Sequence, residues 1–213
     1  MINYLKERMI RIEALEDRGS GSIDFFLDYL KNSSVNLDME SIYKTLSFVS
    51  GLNYFHEGLS KEQYLCHPLR VACLLLKYAD EVSTDDLNLS LLHNILEVSD
   101  VKKVDLIERF GDTLGRAVTI LTVDRDSQWD VEYKNRYYEN IVNFGRVTAK
   151  VKILDKFDNI FIIGLNSKDE IRMKYLDEIR KYIIPMTSKF IPKLFDDFNL
   201  CCNEAETLGY FPK

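Results

Sequence analysis

Glycine and proline are scarce in this chain, with 9 and 4 among 213 residues. Both residues punctuate turns between strands. Their scarcity, beside abundant Leu, Ile, Lys, Glu and Asp, argues against a strand-rich fold and for an all-α one. The four cysteines, Cys66, Cys73, Cys201 and Cys202, form no CxxC pair and share no regular spacing. That pattern fits reduced thiols better than a zinc site or a disulfide framework. No window approaches the roughly 18 uninterrupted apolar residues of a membrane span. The opening "MINYLKERMIRIEALED" is charged throughout and lacks the apolar stretch of a secretory signal. These absences predict a soluble, cytoplasmic protein with no membrane partner. Cations are in deficit, with 28 Lys and Arg against 34 Asp and Glu and a net charge of −6. An extended nucleic-acid-binding surface is excluded on that balance, whereas a nucleotide in a single pocket is not. Oligomeric state is left open.

What the sequence does have is helical periodicity. In "PLRVACLLLKYA", Leu69, Ala72, Cys73, Leu76 and Ala79 share one stripe, and Pro68 suits a first helical turn. "STDDLNLSLLHNILEV" opens on the N-cap candidates Ser83, Thr84 and Asp85, which predicts one helix reaching past His93. Gly111 separates two further helices. Residues 123–132 form a polar loop carrying Trp129, and "YKNRYYENIVNF" turns its tyrosines toward the core. "RVTAKVKILDKFDNIFIIGL" is the most apolar long segment and predicts a central, largely buried helix. "KDEIRMKYLDEIRKYIIPM" pairs opposite charges at helical spacing and predicts an exposed amphipathic helix. Residues 1–35 read as an N-terminal helical extension, too short to bury a core alone. Residues 36–199 read as the main helical domain, and 200–213 as a tail that packs on it.

Three histidines are present, and two of them stand in suggestive company. His67 lies in "YLCHPLR" and His93 in "SLLHNILEVSD". Asp155 lies inside the apolar segment, where an unpaired carboxylate is costly to bury. A lone helical histidine is usually a satisfied core residue, and Asp155 has Lys152 and Lys156 nearby as ordinary partners. Arg109, Arg116 and the lysines 150, 152 and 156 are typical of solvated helix faces.

The order of the motifs changes that weighting. The chain shows Y-x-x-H-P at Tyr64, His67 and Pro68, then L-L-H-x-x-x-E at His93 and Glu97. F-G-D-x-L follows at Phe110, and V-K-I-L-D-x-x-x-N at Asp155 and Asn159. This series resembles the HD superfamily, and more closely the hydrolase domain of RelA/SpoT-type (p)ppGpp enzymes and their small stand-alone relatives, over about residues 45–165. The resemblance implies a compact multi-helix HD-domain bundle. It implies a single divalent metal, manganese by family habit, held by His67, His93, Asn94 and Asp155. Asn94 stands where the family carries the aspartate ligand of its His-Asp pair, and Val98 where it carries a second acid. Glu97 matches the family acid that works with the metal's water, so Glu97 and Asn94 are the catalytic candidates. Tyr64, Asn159, Lys61 and Lys152 are the candidates for contacts to substrate. His56 matches a histidine in the loop before the first ligand.

Imidazole and carboxylate ligands suit such an ion, which lowers the pKa of a coordinated water and draws charge from phosphorus. The implied activity is a metal-dependent phosphohydrolase acting on a nucleotide or phosphate ester, with a (p)ppGpp-like 3′-pyrophosphate as the family substrate. Asn94 and Val98 together remove two negative charges from the site. A degenerate relative that binds a nucleotide or a protein partner without turnover is therefore the alternative.

Overall fold

The computed structural model describes residues 2–17, 21–55 and 59–212; His56 lies outside the described residues. Within them no strand occurs, and the chain runs helix after helix. The first three are α1 (Tyr4–Asp17), α2 (Ile23–Lys31) and α3 (Met39–Gly51), followed by the long α4 (Lys61–Tyr78). Then come α5 (Thr84–Leu92), the single turn α6 (Ile95–Val98), α7 (Lys103–Phe110) and α8 (Asp112–Leu121). The second half holds α9 (Val131–Phe144), α10 (Arg146–Asn159), α11 (Asp169–Glu178), α12 (Ile184–Phe190) and α13 (Phe195–Leu208). Side-chain caps at Ser22, Asp38, Ser60, Ser83 and Asp130 start five of these helices by accepting first-turn N–H groups. Gly111, at φ 88°, makes the corner between α7 and α8, a backbone region that glycine enters without penalty.

α10 is the axle of the bundle. It lies against α4, α5, α8, α9 and α12. Val151, Ile153, Leu154 and Phe157 on it are fully buried. Its helical part ends at Asn159, so the apolar segment expected as one helix continues as turns and a short 3-10 stretch at 163–165. The segment after it also departs from a single exposed helix. A π-helical stretch at 179–183 interrupts it, and Ile179 and Ile183 there are fully buried.

Two helix boundaries differ from the sequence pattern in ways that matter for chemistry. α4 begins at Lys61 rather than at Pro68. Ser60 accepts from the Gln63 N–H at 3.3 Å while the Gln63 side chain accepts from the Ser60 N–H at 2.8 Å. This reciprocal cap satisfies the first-turn donors, and Pro68 becomes an interior residue that only removes one rung donor. His67 is therefore inside a helix, on a face with Tyr64 and Arg70. The other difference is a break after Leu92. His93 Nδ1 donates to the Ser90 carbonyl at 2.7 Å, a side-chain bond that competes with the helical ladder. Asn94 then adopts φ −105°, ψ 2°, and the helix resumes as the single turn α6.

α1 is integral to the core, because Tyr4, Ile12, Ala14 and Leu15 are buried and the Tyr4 hydroxyl donates to the Ile160 carbonyl at 3.0 Å. At the other end, the boundary expected after residue 199 falls within α13, whose Cys201, Cys202 and Ala205 are buried.

One polar clamp ties α9, α10 and α11 together. Glu178 takes Lys134 Nζ at 2.7 Å, Lys156 Nζ at 3.0 Å and the Tyr138 hydroxyl. Burial works against its ionisation, yet Lys156 and the bonds from Lys134 and Tyr138 win, pulling its pKa down to about 2 from an ordinary 4.5. A carboxyl depressed in the folded state contributes stability that is complete above its unfolded pKa and fades as pH falls through the folded value. The expected outcome is a thermal midpoint that drops between pH 4.5 and about 2. Glu178→Gln should lie well below the unaltered protein at pH 6, with the gap closing as pH approaches 2, measured by circular dichroism melts.

Candidate metal and phosphate site

α4, the α5–α6 break and α10 meet at His67, His93 and Asp155. One ligand atom from each lies within 4.8 Å of the others. His67 Nε2 and His93 Nε2 are 3.2 Å apart, and Asp155 Oδ1 is 3.2 Å from the first and 3.8 Å from the second. Both Nδ1 atoms are already committed. His93 Nδ1 donates to Ser90 as described, and His67 Nδ1 donates to Asp158 Oδ2 at 2.8 Å. Fixing a proton on each Nδ1 leaves each Nε2 with a lone pair. Two lone pairs and a carboxylate oxygen then aim at one point, an arrangement that could hold a metal ion at its focus. This donor set fits a borderline divalent ion such as Mn²⁺, Fe²⁺ or Zn²⁺.

The electrostatics maintain this arrangement. Burial disfavours ionised Asp155, but the Lys152 charge and the His67 and His93 hydrogen bonds overcome it and hold its pKa well below the usual carboxylate range. Lys152 Nζ sits 2.9 Å from Asp155 Oδ2, and the Asn159 amide donates to Oδ1 at 2.8 Å. Burial also lowers the proton affinity of His67, while Asp155 and Asp158 raise it further, so the net shift is upward.

A cavity of about 420 Å³ opens beside His67. Tyr64, Asn94, Asn159, Tyr175 and Arg125 supply its polar wall, and Val98 and Leu15 part of its apolar wall. The structure thus gathers Tyr64, His67, Asn94 and Asn159 in one place, with His93 and Asp155 behind them. The Asn94 side chain meets the Tyr64 hydroxyl. Lys61 is the first residue of α4 and does not line the cavity. Lys152, expected at substrate, is instead buried against Asp155 and over the Tyr137 ring at 5.5 Å.

Glu97 has partners that the sequence pattern does not suggest. It stands on the single turn α6, beyond the break that follows His93. Its carboxylate accepts from the Val123 N–H at 2.9 Å and from Arg125 Nη2 at 2.6 Å. It therefore anchors the polar loop at the cavity, with Tyr64 and Lys152 in reach of its charge. Residues that sequence reasoning passed over include Arg125, Tyr175, Asp158 and Arg70. Asp155, Asp158 and Asn159 at i, i+3 and i+4 lie on one stripe of α10, and that stripe was the available signal.

No family model matches this chain. Its helical fold is similar to that of a solved structure. That structure is of a metazoan SpoT orthologue that hydrolyses ppGpp, similar at a TM-score of 0.61 and 20% identity over 78% of this chain and 93% of that one. Two curated bacterial proteins, each named guanosine-3′,5′-bis(diphosphate) 3′-pyrophosphohydrolase, are similar in sequence. The one from Aquifex aeolicus is 25% identical over 156 residues, covering 70% of this chain, and the one from Vibrio cholerae 28% over 130 residues, covering 55%. The chain spans 21% and 17% of the lengths of those proteins. The resemblance to RelA/SpoT-type HD hydrolases carried by the motifs is thus present in both sequence and fold comparisons.

Removing one member of a buried charge pair costs roughly 3–5 kcal/mol because the other is left uncompensated. Lys152→Met should destabilise by that order, and adding Asp155→Asn to it should recover part of the loss. Urea denaturation of the two variants measures the coupling; a double variant less stable than Lys152→Met alone would contradict it.

Proposed function

We propose that this chain is a metal-dependent phosphohydrolase acting on a nucleotide, with a (p)ppGpp-like 3′-pyrophosphate as substrate and manganese as the ion. The observation that carries this reading is the convergence of His67 Nε2, His93 Nε2 and Asp155 Oδ1 at the edge of a cavity of about 420 Å³ with polar groups on its wall. The activities named for the similar proteins support it. When bound, the divalent ion supplies Lewis acidity toward a phosphoryl oxygen and a water of lowered pKa.

The protein's own groups do the rest. His67, His93 and Asp155 hold the ion, with Asn94 beside them on the cavity wall. Asn159 fixes the Asp155 oxygen that faces both histidines. Tyr64 and Asn94 offer a hydroxyl and an amide to substrate oxygens, and Arg125, largely exposed, brings a guanidinium to the cavity mouth. Glu97 acts as the base once its pair with Arg125 opens, the guanidinium moving onto a substrate phosphate. Lys152 serves by neutralising Asp155. This reading places the protein in the cytoplasm with a small-molecule partner. No helix among the described residues is long and apolar enough to cross a membrane.

The Arg125–Glu97 pair, with Asn94 and Val98 in place of two acids, favours a second reading in which nucleotide binds without turnover. One experiment separates them. The purified chain with Mn²⁺ and ppGpp should release pyrophosphate, and His93→Ala should reduce release to background. Ligand-induced stabilisation without release, with hydrolysis installed by Asn94→Asp, would favour the second reading. Mn²⁺ at 100 times its Kd should stabilise the folded state by about 2.7 kcal/mol, and a flat thermal midpoint with rising Mn²⁺ would sink both.

A further inference from the structure

Asp158 is fully buried and belongs to no motif of the resemblance, yet it is the most heavily bonded carboxylate in the described protein. Its Oδ1 accepts from Arg11 Nε at 2.8 Å and Arg70 Nε at 3.0 Å. Its Oδ2 accepts from Arg70 Nη2 at 2.9 Å and from His67 Nδ1 at 2.8 Å. Arg11 is itself pinned. Its Nη1 binds Glu7 Oε2 at 2.7 Å and the Glu7 carbonyl at 3.0 Å, and its guanidinium lies 4.1 Å from the Phe161 ring centre. Arg11 stands on α1, Arg70 on α4 one turn beyond His67, and Asp158 on α10 one turn beyond Asp155.

We propose that Asp158 is a positioning residue for the metal ligand His67, and that Arg11 of α1 holds it in place, so that the N-terminal helix is a functional part of the metal centre. The inference rests on the metal reading above. A carboxylate on Nδ1 fixes the tautomer that presents Nε2 to an ion, sets the plane of the ring and makes the nitrogen a better donor. Asp158 is suited to that role because two guanidinium groups hold both its oxygens, leaving the carboxylate no other orientation. His93 receives the corresponding support from the Ser90 carbonyl, which is backbone and does not depend on another helix. The two histidines therefore differ: the position of His67 depends on α1, and that of His93 does not.

The test uses the full chain and Mn²⁺ alone, with free Mn²⁺ followed by electron paramagnetic resonance. Removing Asp158 by itself strands two buried guanidinium groups, so the variant is the charge-balanced Arg11→Gln/Asp158→Asn. Its Kd for Mn²⁺ should rise by about 10–100-fold, the usual effect of losing an outer-shell partner, while it still melts cooperatively. Arg11→Lys, which keeps a cation on Asp158, should stay within about threefold of the unaltered chain, less than the outer-shell loss.

A second measurement needs no variant. In the unaltered protein loaded with Zn²⁺, imidazole nitrogen–proton correlation spectra should show His67 protonated at Nδ1 with a slowly exchanging proton. A folded double variant that binds Mn²⁺ as well as the unaltered chain would overturn the positioning role and leave the metal centre standing. His67 lacking the Nδ1 proton would do the same. An unaltered chain that binds no Mn²⁺ would overturn both.

Discussion

The negative charge of Asp155 in the centre of the protein is the constraint on which the rest depends. A carboxylate there is tolerable only where cations and donors surround it. The described structure meets that need from three directions: Lys152 on the same helix, Asn159 one turn further, and the two histidines across from it. The two histidines each tie another element to α10. His67 draws α4 onto α10, His93 holds the broken end of α5 nearby, and Lys152 is fully sequestered. The apolar packing of Ile153, Leu154 and Phe157 supplies most of the burial, but burial alone would accept many registers. The polar contacts select one.

The helical class and most element positions were legible from periodicity and caps, because each is a local signal. Ser83 as a cap, Gly111 as a corner and the buried tyrosines 137 and 138 required nothing beyond neighbours in sequence. The candidate ligands were legible because their motifs occur in a fixed order. The start of α4 was not, since Pro68 gives a strong first-turn signal while the Ser60–Gln63 cap is subtler. The break at Asn94 was also hidden. It arises from the His93 side chain bonding three residues back, and an unbroken periodicity masks that competition. The Glu97 carboxylate depends on Val123 and Arg125, which only the folded chain brings to it. Asp158 draws no notice in the sequence, because its partners lie on α1 and α4.

Two buried ionic systems flank the cavity, and they differ in kind. Glu178 joins two lysines and a tyrosine and knits α9, α10 and α11 into a unit. Asp158 joins two arginines and a histidine and knits α1, α4 and α10. The first uses flexible ammonium groups, and the second uses planar guanidinium forks that fix orientation as well as charge. The fork system is the one that touches a candidate ligand. Orientation matters there in a way it does not at a purely cohesive contact.

α4 acts as a ruler. The cap at Ser60, the wall residue Tyr64, the ligand His67 and the tether Arg70 all stand on it, at fixed numbers of residues from its start. Each residue advances a helix by about 100°. One inserted residue between the cap and His67 would swing the imidazole away from Asp155 even if every side chain were kept. The spacing in this helix must therefore be inherited intact through any lineage that keeps the site, while residues 33–37 between α2 and α3 are free to lengthen or shrink.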